Sequence, residues 1–359
     1  MAKHFRLLAI AGVLLVGLVA LLAACGSSNG GSSGSSSTAP KQLHIYAWSG
    51  EIPASTVSAF EKATGIKTTV DTFDSNETMV SKLQSGATGY DLVEPSQYAV
   101  QELAQLNLIV ALDKSKLTNF SNLMPMFQNV IYDPGDKYSV PWIWGTTGLA
   151  YNDKYIKGPV TSWKALWDPA YKGHILMLDN MLAAYIAAFQ VNGYNFNSTD
   201  KAQIAKASQS LMQQRPLLMG YNATNFAQLL SQGQCWICEA WNSNITPVAA
   251  SNKHIHYVLP KEGGSFWTDG FVLLKSAKNV DAAYQFINYL LDPAVAAAAS
   301  NEAHFATANE AALPQIKASI RNDPTVYTPL SELKHATVFL NPTAQTALLQ
   351  ADWTKLRAQ

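Results

Sequence analysis

Strand and helix signals alternate along residues 43–106, and this alternation is the strongest constraint on the fold. The predicted strands are residues 43–48, 66–70 and 90–94, and each is followed by a predicted helix, at residues 53–65, 75–83 and 98–106. Pro53 marks the start of the first helix and Gly65 its end. Such alternation predicts an α/β layered fold with a mostly parallel sheet.

The ends of two predicted strands carry aromatic rings together with hydroxyl groups. Trp48 and Ser49 close the first strand, and Ser96 and Tyr98 follow the third. In α/β sheets of this kind, ligands bind beyond the carboxyl ends of the strands. These four residues are therefore candidates for a ligand site, although Ser at the start of a helix is also a common N-cap.

Residues 138–152 lead from this segment into a second α/β segment. They read as two strands joined at small residues, Gly145 to Gly148, and the chain returns near Trp267. Two lobes joined by two such passages would form a cleft with a hinge, and clefts between domains are preferred ligand sites. We predict a first lobe of residues 41–146 and 267–315 and a second lobe of residues 147–266 and 316–359.

An indole and a carboxylate stand two residues apart just before the apolar run 271–274. If this segment is a strand, Trp267 and Asp269 leave the same face of it. The face of a Trp ring attracts cations, and a carboxylate accepts charge-assisted hydrogen bonds, so the pair suits an ammonium group. The alternative is a core Trp followed by a turn Asp.

The N-terminus has the pattern of a secretory signal. Lys3 and Arg6 precede an apolar run, residues 7–22, which small residues and Cys25 close. We predict a lipoprotein signal peptide over residues 1–24, with Cys25 as the lipid anchor. A flexible Ser/Gly tether over residues 25–40 follows. A transmembrane helix is the alternative, but it would be expected to have a basic flank.

Composition excludes several classes of protein. The chain has 359 residues, 48% of them hydrophobic, so it is long enough for two folded domains. It carries 25 basic and 25 acidic side chains, and removal of the signal peptide leaves a slight acidic excess. The sequence has no cluster of Lys and Arg residues of the kind that indicates a nucleic-acid surface.

The cysteines and histidines of the mature chain do not form a recognisable reactive site. Cys235 and Cys238 fall in a predicted strand, where residues three apart face opposite sides, so we expect unpaired thiols rather than a disulfide. His254 and His256 would share one strand face, but no third ligand type lies nearby, and we expect two solvated histidines and no metal.

Most of the mature chain resembles the bacterial periplasmic spermidine/putrescine-binding proteins that serve polyamine ABC importers. The stretches that carry the resemblance are Thr64-Gly65-Ile66-Lys67, residues 75–79, 90–93 and 113–123, Thr161-Ser162-Trp163, residues 260–264 and Phe266-Trp267. The resemblance implies an α/β, two-lobed periplasmic solute-binding protein fold with a hinge and an interlobe ligand cleft.

The same resemblance implies a transport role. We expect no enzyme activity, no cofactor and no metal, a small cationic amine as ligand, and an ABC permease with its ATPase as partners. The protein is expected to be a monomer in the periplasm or on the outer face of the cytoplasmic membrane. Only its lipid anchor would contact the membrane.

Matched position by position, the family's ligand pocket maps onto this sequence. The matching residues are Trp48, Ser49, Ser96, Tyr98, Trp241, Trp267 and Asp269. Four positions depart from the family. Asn180 and Ala183 stand where two acids are expected, Glu51 replaces an aromatic hydroxyl, and Phe305 replaces a tyrosine. A late glutamine position falls near Phe339.

These departures predict a ligand with few positive charges. A charge-assisted hydrogen bond contributes about 1.5–3 kcal/mol, so the loss of two acids costs a triamine roughly two to four orders of magnitude in affinity. With Asp269 and Glu51 as the remaining acids, a diamine or monoamine is favoured over spermidine. The alternatives are a receptor for an amino-acid-like zwitterion or other small solute, and a sensory lipoprotein. A hydrolase lacks support, because no nucleophile elbow or metal-ligand cluster occurs.

Overall fold

The computed structural model describes residues 41–340 and 343–358. The predicted signal peptide, the tether and Cys25 lie outside these residues. Within the described part of the chain, eleven strands form one sheet. They are β1 (Gln42–Trp48), β2 (Lys67–Phe73), β3 (Leu92–Val93), β4 (Ser139–Asn152), β5 (Ile175–Met177), β6 (Leu218–Tyr221), β7 (Ile237–Trp241), β8 (Ile255–Val258), β9 (Ser265–Leu273), β10 (Ala306–Thr307) and β11 (Thr337–Val338).

The sheet is mixed rather than mostly parallel. Its order is β2-β1-β3-β9-β4-β7-β5-β6, with β8 and β10 pairing β4 and β11 pairing β9. Strands β2, β1 and β3 are parallel, as are β7, β5 and β6. In the centre, β9 and β4 are antiparallel to each other and to their flanking strands β3 and β7. The predicted parallel alternation therefore holds in the two flanks only.

The long strand β4 runs through both parts of the sheet. Its first residues pair with β9, from Ser139 opposite Val272 to Thr147 opposite Ser265. From Thr147 onward it pairs with β7 and β8. The prediction of two strands joined at residues 145–148 is wrong, because pairing with β9 up to Thr147 and with β7 from Thr147 onward keeps the small residues extended.

Twelve α-helices lie within the described residues. They are α1 (Ala54–Thr64), α2 (Asn76–Gln84), α3 (Gln97–Gln105), α4 (Met181–Val191), α5 (Lys201–Gln214), α6 (Phe226–Ser231), α7 (Asn242–Ser251), α8 (Val280–Leu290), α9 (Pro293–Ala303), α10 (Ala318–Arg321), α11 (Leu330–Leu333) and α12 (Thr343–Arg357). Residues Trp163–Trp167 form a 3₁₀ helix.

Local sequence signals set several helix ends. Helix α1 begins after Pro53 and ends at Gly65, whose φ of 72° is the left-handed conformation that glycine adopts readily. The Ser75 side chain accepts a hydrogen bond from the Thr78 amide at the start of α2. Asp292 caps α9 in the same way. The boundaries at Pro53, Gly65 and Ser75 agree with the sequence prediction because each depends on residues close in sequence.

Two large hydrophobic clusters make up most of the core. The first contains Phe60, Trp142, Phe271 and Phe286, and the second contains Trp163, Tyr185, Phe189 and Phe196. Residues beyond position 315 divide between them, since Ile316, Ile320 and Val326 pack in the first cluster and Leu349, Trp353 and Leu356 pack in the second. The lobe boundaries stay predictions, because packing alone does not define which residues would move together.

The structure describes the two cysteines and two histidines that the sequence singled out. Cys235 and Cys238 are buried and free, which confirms the prediction of unpaired thiols. His254 and His256 are partly buried rather than fully solvated, and their rings lie 2.6 and 2.8 Å from the Asp153 carboxylate. In the described ranges, no group of three or more His, Cys, Asp or Glu residues could hold a metal ion. No helix of these ranges has the length and apolar character needed to cross a bilayer.

Candidate ligand-binding site

A cavity of about 520 Å³ opens where β1 and β3 end, and β9 passes along it. The ten side chains that the sequence predicted for ligand binding all line this cavity: Trp48, Ser49, Glu51, Ser96, Tyr98, Asn180, Trp241, Trp267, Asp269 and Phe305. Phe339 lines it as well. The structure therefore brings together residues from distant parts of the chain, and their role in binding a ligand stays a prediction.

Strand β9 holds the aromatic and acidic centre of the site. It begins at Ser265, so Trp267 and Asp269 lie inside the strand and on the same face. Only 8% of Trp267 and 4% of Asp269 is exposed. Asp269 also pairs with Ser96 through an isolated antiparallel bridge. The alternative of a turn Asp is wrong, because the residue is part of the central sheet.

Gly145 on β4 makes room for the Trp267 ring. A Cβ atom at this position would lie 2.3 Å from a ring carbon of Trp267 and 2.3 Å from Oδ1 of Asn242. That oxygen accepts a hydrogen bond from the Thr146 amide at 3.0 Å, so it cannot move without loss. The sequence indicated Gly145 only as a small residue between the two predicted lobes. It did not indicate that an indole packs on this glycine.

A methyl group at Gly145 should therefore disturb both stability and the site. We expect Gly145→Ala to lower the free energy of unfolding by about 1–3 kcal/mol, because the extra carbon overpacks a buried contact. It should also weaken ligand binding, because the Trp267 ring must shift. Urea denaturation and calorimetric titration measure the two effects.

Gly220 offers a matched control for this change. It also lies in a strand, β6, but a Cβ atom at Gly220 would have no neighbouring atom within 4 Å. Gly220→Ala should leave ligand binding unchanged and cost little stability. Equal effects of the two substitutions would contradict the packing role of Gly145.

Two carboxyl groups share the buried end of the cavity. Burial raises the pKa of Asp269 to about 7, and hydrogen bonds with the Ser96 hydroxyl and the Glu51 carboxyl offset part of this rise. Burial, followed by the charges of Asp269 and Glu94, raises the pKa of Glu51 well above its usual value. Oδ1 of Asp269 and Oε2 of Glu51 are buried without a hydrogen-bond partner. Such atoms favour a cationic partner, because an unpaired buried acceptor is costly.

A third acid, Glu94, interacts with the two carboxyl groups at this end of the cavity, and the sequence did not single it out. The sequence placed it only as the last residue of a strand, yet it is fully buried, and neither carboxyl oxygen has a hydrogen-bond partner. Burial, followed by the charge of Asp269, raises its pKa well above the usual value, and the Trp48 backbone amide offsets part of this. The available signal was a charged residue directly after the apolar pair Leu92 and Val93.

The mouth and the far side of the cavity differ from this acidic end. Asp74 and Glu302 line the cavity but are both exposed, so they add only weak, solvent-screened charge. On the α4 side, Asn180 accepts a hydrogen bond from the Ala183 amide at 3.0 Å, so its oxygen serves as a helix cap. Thr224, Ser243 and Asn244 supply further neutral polar groups, and the sequence reasoning did not select them.

The acids give the ligand-free protein a defined pH dependence. The pKa of Asp269 is raised to about 7 and that of buried Glu239, outside the cavity, to about 8 by burial. Their stabilising contribution is fully present below the ordinary carboxyl pKa of about 4 and is lost as the pH rises through the raised values. We expect the free energy of unfolding to fall by roughly a few kcal/mol between about pH 5 and pH 8.

Urea denaturation at the two pH values measures this dependence. The control is a double variant, Asp269→Asn with Glu239→Gln, in which neither group titrates and the decrease should be smaller. If the wild-type protein and the double variant showed parallel pH dependences, the two carboxyls would not be the source.

Comparison with known proteins identifies the family. The family model described as bacterial extracellular solute-binding protein matches residues 55–328. The chain belongs to this family. It is therefore a two-lobed α/β solute-binding protein and not an enzyme, as the sequence predicted.

The similar proteins include polyamine-binding ones. The chain is 36% identical over 318 residues to the spermidine/putrescine-binding periplasmic protein of Escherichia coli, covering 88% of this chain and 91% of that protein. It is 35% identical over 309 residues to the putrescine-binding periplasmic protein PotF of the same organism, covering 80% and 84%. A solved structure from Listeria monocytogenes, described as a spermidine/putrescine ABC transporter, has a TM-score of 0.85 at 32% identity, covering 88% of this chain and 99% of that one.

Proposed function

We propose that this protein captures a small organic amine outside the cytoplasm and delivers it to an ABC permease. The observation that carries this proposal is the lining of the cavity. It combines tryptophan rings with the carboxyl groups of Glu51, Asp74, Asp269 and Glu302, and among the described residues it contains no Lys, Arg or His. A cavity lined by aromatic rings and carboxyl groups, with no basic side chain in its lining, attracts a cation and repels an anion.

A short diamine or a monoamine is the ligand class that we favour over spermidine. Asp269 and Glu51 place two carboxyl groups at one end of the cavity, where an ammonium group gains most. Toward α4 the cavity offers neutral groups, and neither Asp74 nor Glu302 is buried. A third charged nitrogen would find no buried acid there. A relative named for putrescine alone supports this preference, whereas another relative is named for both spermidine and putrescine.

Calorimetric titration of the domain that starts at Lys41 tests the proposal. We expect putrescine to bind more tightly than spermidine, and an uncharged polyol of similar length not to bind. A zwitterionic amino acid should bind weakly, because no basic side chain would hold its carboxylate. Tight binding of an uncharged or anionic solute would contradict the proposal, whereas tight binding of a zwitterion would favour the alternative ligand class.

The role implies a location outside the cytoplasm and partners in the membrane. The periplasmic relatives support this location. We propose that a lipid on Cys25 holds the monomeric protein at the outer face of the cytoplasmic membrane, where it meets the permease and its ATPase. The residues around Cys25 support the anchor, because small residues precede this cysteine at the end of an apolar run.

Cys25→Ala tests the anchor. The substitution removes the thiol that would receive the lipid, so the precursor should remain unacylated and uncleaved by the lipoprotein peptidase. Mass spectrometry of the protein from membrane fractions measures both changes, and Cys235→Ala is the control that should mature normally. Normal maturation of Cys25→Ala would contradict the lipoprotein assignment.

A further inference from the structure

Glu94 is an unpaired acid in one of the most protected parts of the molecule. It follows β3, its exposure is 0%, and neither carboxyl oxygen has a hydrogen-bond partner among the described residues. A buried acid without a side-chain partner lowers stability. The surrounding strands supply one backbone amide, that of Trp48, which offsets part of this cost.

The strand pairing places Glu94 beside the acids of the cavity. Val93 pairs with Tyr46 of β1 on one side and with Val272 of β9 on the other. Ser96 lies opposite Asp269. Glu94 and Ser96 are two residues apart in an extended segment, so their side chains point to the same face of the sheet. Asp269, which lies opposite Ser96, points to that face as well.

The carboxyl groups of Glu94, Glu51 and Asp269 therefore interact within one buried region. Burial and the charge of Asp269 raise the pKa of both Glu94 and Glu51, and Glu94 also acts on Glu51. Glu94 does not itself line the cavity, but it interacts with these two acids, which do. The Trp48 backbone amide is the one group that lowers the pKa of Glu94, and no Lys, Arg or His side chain of the described residues does so. The negative charge of ionised Asp269 therefore disfavours ionisation of Glu94.

We propose that Glu94 is a third carboxyl of the amine site, protonated in the empty cleft and ionised when an ammonium group neutralises Asp269. The inference rests on the proposed function. The proton leaves Glu94 for solvent, and the ligand keeps all of its own protons. Glu94 thereby supplies negative charge only when a cation is present, so the empty site avoids three adjacent charges. The ligand class that exploits this is an alkylammonium ion.

Calorimetry of putrescine binding at about pH 7, in two buffers with different heats of ionisation, counts the protons released. We expect the wild-type protein to release roughly half to one proton more per ligand than Glu94→Gln, because linkage equates this number with the change in protonation. The affinity of the wild-type protein should also rise more steeply between about pH 6 and pH 8.

Glu239→Gln is the matched control. Glu239 is equally buried, burial raises its pKa to about 8, and one of its oxygens also lacks a partner. It does not line the cavity, and none of the cavity acids shifts its pKa. This variant should release as many protons on binding as the wild-type protein. If a glutamate-to-glutamine change acted only through stability, Glu94→Gln and Glu239→Gln would change the number of protons released to the same extent.

The outcomes separate the two proposals. Putrescine binding with equal proton release in the wild-type protein and Glu94→Gln would overturn this inference and leave the proposed function intact. Absence of binding by any amine would overturn the proposed function and this inference with it. Glu94→Gln and the apolar Glu94→Met should both fold, because each removes an unpaired acid. Failure of both to fold would show that Glu94 has a structural partner and would also overturn the inference.

Discussion

Asp269→Asn is expected to weaken putrescine binding by about one to two orders of magnitude, because a charge-assisted hydrogen bond becomes a neutral one. The substitution keeps the shape of the side chain and its place opposite Ser96 in the sheet. Asp269 has a pKa of about 7, so the wild-type protein holds less charge here at low pH. The difference in affinity between the two proteins should therefore grow from about pH 6 to pH 8.

Calorimetric titration at several pH values measures this difference. Asp74→Asn is the comparison, because Asp74 lines the same cavity but is exposed to solvent. It should cost less than about threefold in affinity, since exposed charges contribute little. Equal losses in the two variants would indicate a diffuse field of negative charge rather than a direct contact with Asp269.

Trp267→Ala is expected to weaken amine binding by at least about two orders of magnitude. A desolvated cation–π contact contributes about 2 kcal/mol, and the lost apolar area adds roughly 1–2 kcal/mol. The indole is 8% exposed and packs on Gly145, so its removal also opens space in the core. Stability should fall by about 3–5 kcal/mol, as for other buried Trp residues.

The loss of stability must be separated from the loss of binding. Trp142→Ala is the control, because Trp142 is also buried on the neighbouring strand β4 and its indole N–H likewise lacks a partner, but it does not line the cavity. Calorimetry at a temperature where circular dichroism shows both variants folded should give near wild-type affinity for Trp142→Ala. Wild-type affinity in folded Trp267→Ala would contradict a contact between ligand and ring.

The sequence predicted the cavity well because its lining follows local rules. Trp267 and Asp269 share a face because side chains alternate along any strand. Trp48, Ser49 and Ser96 line the cavity because strand ends of α/β sheets meet at one edge. These rules need only residues close in sequence. The resemblance to a known family added Trp241, Asn180 and Phe305, which no local rule would have selected.

The features that the sequence left open depend on pairing between distant segments. The strands β3 and β9 are far apart in sequence, so nothing near Glu94 indicated that Asp269 would lie beside it. In the same way, the Trp267 indole packs on Gly145 only because β4 pairs with β9. The prediction of two strands at residues 138–152 failed because small residues weaken a strand locally, whereas pairing first with β9 and then with β7 keeps this segment extended.

The sequence by itself determined the alternation of strands and helices, the ends of the first helices and the pairing of a ring with an acid on one strand. The tertiary structure decided how many acids share the buried end of the cavity and how strongly each holds its proton. The reason is physical. Alternation and capping are interactions between near neighbours, whereas the pKa of Asp269 follows from burial and from groups on other elements, Ser96 and Glu51, which only the folded sheet brings within reach.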